Sequence, residues 1–258
     1  YKDGKEDGLR EEFHENGQLK YRENYKYGKQ DGLRETFYSK NDNNPLVLHG
    51  PINTRGNFKN GEKDGLCEEY YENGPLYSRE KLKNGVPNGL WESYYENGKL
   101  ESRGNFKNGK NDGLWEDWYV NGQLCTRENY NKDGQLDGLC KLFSYTGQFN
   151  KTVTYKNGKE HGLKETYHDN GQLKHRGNYK NGKPDGLEEN FFTSGKLRNR
   201  RNYKNGKRDS LEENFFQSGK LRKRRNYKNG KKDGLWEYFD SIGNLIQTEE
   251  YKDGELVE

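Results

Sequence analysis

The sequence predicts an all-β chain: an elongated antiparallel meander of ten successive β-hairpin repeats, a single-sheet, solenoid-like rod. Three observations predict it. A leucine recurs at Leu9, Leu33, Leu66, Leu90, Leu114, Leu139, Leu163, Leu187, Leu211 and Leu235, with spacings of 24 interrupted once by 33 and once by 25. Turn-forming triplets such as Glu96-Asn97-Gly98 and Lys107-Asn108-Gly109 cut each unit into two runs of strand length. The chain is 27% hydrophobic with a mean hydropathy of -1.50, yet it holds 20 Tyr, 11 Phe and 4 Trp. That is too polar for a conventional core and too aromatic for a disordered chain. A thin array in which each unit buries a few aromatics against its neighbours satisfies both.

Within one unit, Leu90 to Tyr95 and Leu100 to Lys107 are the two candidate strands. The place of Asn97 is elsewhere Thr146, Ser194, Ser218 or Ile242, residues that tolerate positive φ poorly, while the following glycine is kept. A three-residue loop, a type I turn closed by a left-handed glycine, is therefore expected there. With that loop Leu90, Tyr94, Leu100 and Phe106 are expected on one face, as lengthwise apolar ladders.

One pattern conflicts with this register. Glutamate recurs at the place of Glu92 and arginine at the place of Arg103, and in the sixth unit both are lost together, as Lys141 and Thr152. Joint loss implies a pair, which a two-residue turn would set directly opposite; the three-residue loop puts the two on different faces. The steric argument favours the three-residue loop and leaves the glutamate unplaced. The array spans 1–258 as one domain, with an insertion loop at 39–54 that carries Pro45, Leu46, Val47, Leu48 and Pro51.

The segments Gly104-Asn105-Phe106-Lys107-Asn108-Gly109-Lys110-Asn111-Asp112-Gly113 and Gly177-Asn178-Tyr179-Lys180-Asn181-Gly182-Lys183-Pro184-Asp185-Gly186 resemble the MORN repeat. The resemblance covers almost the whole chain and is closest to the variant form found in bacterial YwqK-like antitoxin proteins and in giant-virus arrays. The chain departs from the classical motif in its 24-residue spacing, in Leu90-Trp91 following Gly89, and in Ser102 where Tyr is usual. The resemblance implies an antiparallel sheet of hairpins used for protein association, sometimes linked to membrane lipid, with no catalytic residues to carry over.

Chemistry-bearing residues are sparse. Cys67, Cys125 and Cys140 are odd in number and lack Cys-x-x-Cys spacing, which argues against a disulfide framework or zinc site and favours a reducing, intracellular setting. His161, His168 and His175 are evenly spaced, but in this register His168 and His175 face opposite sides, so no metal site is expected. No cofactor, small-molecule substrate or catalytic set is predicted. No apolar run approaches a membrane span. The chain opens on Tyr1 in mid-repeat and has no Met, so a preceding segment is expected, and a virion or cell-surface location stays open.

The net charge of +4 hides polarity. Residues 181–232 carry sixteen Lys/Arg against six Asp/Glu, a local +10, which leaves -6 for the remainder. Arg198, Arg200 and Arg201 recur one repeat later as Arg222, Arg224 and Arg225, so basic rows over 196–232 are candidate sites for anionic lipid or nucleic acid. Trp91 and Trp115, with Tyr95 and Tyr119, form the candidate contact patch for a protein partner. Variable polarity at the second place of the unit implies partial exposure there. The expected function is a non-enzymatic scaffold or binding module for protein association, self-association included. A phosphate, lipid or nucleic-acid binder and an antitoxin-type inhibitor of a partner protein are the alternatives.

Overall fold

The computed structural model describes residues 1–39 and 49–257. Most of the insertion loop therefore lies outside the described residues, including Pro45 to Leu48. Every named strand pairs antiparallel, and the described residues divide into two compact units, Tyr1–Leu124 with Tyr130–Gly134, and Cys125–Asn129 with Gln135–Glu258. In the first unit strands such as Glu62–Tyr70, Leu76–Lys83, Val86–Tyr94 and Leu100–Lys107 follow one another as a meander. In the second, Lys183–Phe191, Leu197–Lys204, Lys207–Phe215 and Leu221–Lys228 do the same.

Two turn types alternate. At the first, the Tyr95 amide donates to the Lys99 carbonyl at 2.9 Å and the Gly98 amide to the Tyr95 carbonyl at 2.8 Å, with Gly98 at φ 78°. This is the expected three-residue loop, in which only the glycine adopts the left-handed region. At the second, Lys107 opposes Lys110, and Asn108 and Gly109 both have positive φ, 49° and 76°. That is a two-residue type I′ turn, which suits Asn-Gly and matches strand twist.

The register resolves the conflict between loop and pair. Tyr94 opposes Leu100, as the three-residue loop dictates, but Glu92 opposes Arg103, because a bulge intervenes and leaves Glu101 without a counterpart. One extra residue on one strand flips the faces of everything beyond it. The bulge recurs, for example at Arg198 between the pairs Phe191–Leu197 and Asn190–Asn199, and at Arg222.

Two expectations fall, the first because of that bulge. Phe106 opposes Gly89 and lies on the face opposite Leu90, Glu92 and Tyr94, so the apolar columns occupy both sides of the sheet rather than one. The recurring leucines are not core: Leu66, Leu90, Leu114, Leu163, Leu187 and Leu235 are 40 to 46% exposed. Among the described residues the bulkiest fully buried side chains are Glu35, Glu92, Val153 and Cys140. The second place of the unit is also more enclosed than its mixed polarity suggests, since Cys67, Cys140, Glu212 and Trp236 are buried there.

Candidate functional site

In each unit one face carries a lengthwise column of glutamates and arginines. In the first unit Glu92 Oε1 accepts from Arg103 Nε at 2.8 Å, and Oε2 accepts from Arg79 Nε of the preceding hairpin and from Tyr94 Oη at 2.9 Å. Glu35 is held the same way, by Arg22 at 2.5 Å and Arg55 at 2.8 Å. Burial pushes both carboxyls up, but the paired guanidinium hydrogen bonds outweigh it, and both are held below the usual carboxylate range. In the second unit Glu213 lies between Arg200 and Arg224, and Arg224 Nη1 reaches Glu237 at 3.3 Å. Glu165 has a single arginine, Arg176 at 2.8 Å, because Thr152 stands where the other arginine would be, and it accepts from Tyr167 Oη at 2.9 Å. The glutamates are buried while the arginines keep their outer halves in water, so this face presents guanidinium edges. The exposed leucines run beside them, since Leu90 and Glu92 are two residues apart on one strand.

On the opposite face the second place of the unit is filled in several ways. Trp91 and Trp115 stack at 5.4 Å with 21° between planes, and Trp115 packs edge-on against Phe106 at 5.3 Å. Their fit depends on Gly104, whose Cβ would stand 1.9 Å from the Trp115 ring. Trp115 Nε1 donates to Ser102 Oγ at 3.0 Å. Tyr95 is engaged between hairpins, its hydroxyl donating to the Trp118 carbonyl at 2.6 Å. Tyr119 closes its own loop through its amide, donating to the Gln123 carbonyl at 2.8 Å. In the second unit the same places hold Glu188, Arg201, Glu212 and Arg225, with Arg225 Nη2 at 2.7 Å from Glu212 and its guanidinium 5.2 Å from the Trp236 ring.

The six arginines of the basic rows are thus divided. Arg200 and Arg224 belong to the glutamate face, Arg201 and Arg225 to the opposite one, and each lies across from a carboxylate. Arg198 and Arg222 are exposed bulge residues leaning over Phe192 and Phe216, at 5.9 and 5.6 Å. Sequence reasoning missed the exposed leucine column and the sheltered glutamates. The joint loss at Lys141 and Thr152 was the signal for the second.

The thiols of Cys67 and Cys140 are free and burial pushes them up, away from the thiolate that nucleophilic chemistry needs. His168 Nε2 pairs with the Phe191 carbonyl and His175 with Glu188. Among the described residues no group of three or more His, Cys, Asp or Glu is placed to hold a metal ion. Among the described residues no helix is long and apolar enough to cross a membrane.

Hairpins with two alternating turns and lengthwise side-chain columns define the class, a β-hairpin repeat array. The family model for the MORN repeat variant matches residues 6–27, 63–84, 87–108, 160–181, 184–205 and 208–229, just over half of the sequence. The chain belongs to the MORN repeat variant family. No curated protein matches it. Among solved structures it is similar to a chain in the crystal structure of TcdB2-TccC3-Cdc42, at 11% identity and a TM-score of 0.21 over 96% of this chain. It spans 16% of that chain's length.

Proposed function

We propose that this chain is a non-enzymatic repeat scaffold that docks a protein partner on its leucine-bearing face. The observation that carries the reading is the exposed leucine column: Leu66, Leu90 and Leu114 stand 41 to 46% exposed at the same place in successive repeats. They run beside arginines whose outer halves face water. Aligned apolar side chains exposed at a regular interval contribute little to the fold and form a surface that a partner can cover. The flanking guanidinium edges suit carboxylates at the rim of such a contact, where they set orientation and association rate. An inhibitor of the antitoxin type would be one use of this surface, and self-association another.

The test is capture from the native source by the wild-type chain and by a variant carrying Leu66→Asp, Leu90→Asp and Leu114→Asp. Because these leucines are exposed, the melting temperature of the variant should stay close to wild type. A protein retained by the wild type and lost by the variant supports the reading. Equal retention by both refutes the role of this face. Light scattering on both chains separates self-association, which would appear as a leucine-dependent dimer without any other partner.

A further inference from the structure

Four arginines of the basic rows, Arg200, Arg201, Arg224 and Arg225, face carboxylates; the lysines at the type I′ turns of the same region do not. Lys180 lies directly opposite Lys183, Lys204 opposite Lys207, and Lys228 opposite Lys231. All six are exposed, and none has an ion-pair partner among the described residues. Like charges set directly across a strand pair destabilise it, yet the arrangement recurs in these three repeats and in the one before them, where Lys156 opposes Lys159.

The turns are stacked by specific contacts. The Gly206 amide donates to the Pro184 carbonyl and the Gly230 amide to the Arg208 carbonyl, each at 2.8 Å. The stem of Lys183 passes 3.5 Å from where a Cβ on Gly206 would stand, and that of Lys207 3.6 Å from the same point on Gly230. Each stem therefore lies along the next turn, and the ammonium pairs follow one another at about 10 Å. The nearby acids have other partners: Asp185 accepts from the Asn205 amide at 3.0 Å, Asp209 from the Asn229 amide at 3.1 Å, and Asp233 from the Asp253 amide at 3.3 Å and pairs with Lys252 Nζ at 3.7 Å. One carboxylate for two ammonium groups leaves each turn positive.

We propose that this turn edge binds the phosphate backbone of duplex nucleic acid. A duplex offers a phosphate about every 3.4 Å along each strand, so each repeat of the edge meets about three on one strand. The lysines form a line one turn wide. The turns Lys180–Lys183, Lys204–Lys207 and Lys228–Lys231 hold only Lys, Asn and Gly, with no aromatic ring to stack on bases and no apolar side chain to enter a bilayer. Binding through phosphates alone is independent of base sequence and steeply dependent on salt.

The experiment is fluorescence anisotropy of a labelled 20-base-pair DNA duplex titrated with the full chain between 50 and 200 mM KCl. Wild type should bind, with a slope of log affinity against log salt between about -3 and -5. The variant Lys204→Gln with Lys207→Gln should bind at least tenfold more weakly at 50 mM, with a slope shallower by about 1.8. Lys196→Gln with Lys220→Gln removes the same charge at the three-residue loops, where the two ammonium groups donate to the Ser218 and Ile242 carbonyls at 3.3 and 2.7 Å. That pair should change affinity less than threefold. Both variants should melt within a few degrees of wild type. Absence of duplex binding at 50 mM KCl would overturn the proposal, as would equal losses in the two variants. Lysine-dependent binding to phosphatidylserine vesicles without duplex binding would assign the edge to a lipid surface and overturn it too.

Discussion

Trp91 and Trp115 in the first unit occupy the same place in the repeat as Glu188 and Glu212 in the second, and the two are satisfied by opposite means. The tryptophans lie across from or over a glycine, so a large ring is accommodated by the absence of a side chain. The glutamates lie across from Arg201 and Arg225, so charge meets charge. What the fold demands at this place is a complementary cross-strand pair rather than a particular chemistry. The ionic solution is the less complete one, since the buried Nε atoms of Arg201 and Arg225 lack hydrogen-bond partners.

The largest effect should come from filling the glycine. Gly104→Val forces a side chain into the Trp115 ring and should cost about 3 kcal/mol in urea denaturation, with loss of the near-ultraviolet signal of the stacked tryptophans. Glu212→Val alone leaves two half-buried guanidinium groups, those of Arg208 and Arg225, without their carboxylate and should cost about 2 kcal/mol. Adding Arg225→Val copies the buried Cys140–Val153 type of pair that the chain uses elsewhere, and should recover more than half of that loss. A double variant no more stable than the single one would show that complementarity is not the rule.

Acid should sharpen the contrast between the faces. Because the folded pKa of Glu35 and of Glu92 is depressed, the unfolded chain binds more protons, and stability rises with pH across that window. Their contribution is complete above the unfolded glutamate value near 4.3 and is lost as pH falls through the folded values. Glu92→Gln should therefore lower stability at pH 7 and flatten the fall below about pH 4.3, read as melting temperature against pH. The smallest effect is at Ser210, which sits at φ 70° where the other units have glycine. Ser210→Gly should stabilise by about 1 kcal/mol.

Most of the architecture was legible because turns have chemistry: the glycines after Asn97, Thr146 and Ser194 announced three-residue loops, and Lys107-Asn108-Gly109 announced a turn, whose type I′ geometry the structure supplies. The bulge was not legible. Its extra residue is Glu101 in one unit, Tyr77 in another, Lys174 and Arg198 in others, so it leaves no compositional mark. Without it the glutamates could not be placed and Phe106 went to the wrong face. The leucines mislead for a different reason: a position kept apolar in every repeat reads as interior, whereas Leu90 and its counterparts stand at the surface beside the arginine column. The candidate arginines were real rows, but the carboxylates that lie across from them come from neighbouring strands and become visible only once the register is known.

Paired columns on both faces, rather than a one-sided apolar interior, hold these sheets together. The most direct test is a double-mutant cycle in urea on Glu92→Gln and Arg103→Gln, the pair that the bulge brings into line. A coupling energy of about 1 kcal/mol or more is expected for a sheltered carboxylate and its guanidinium. Additive single effects, with coupling below about 0.3 kcal/mol, would contradict the account.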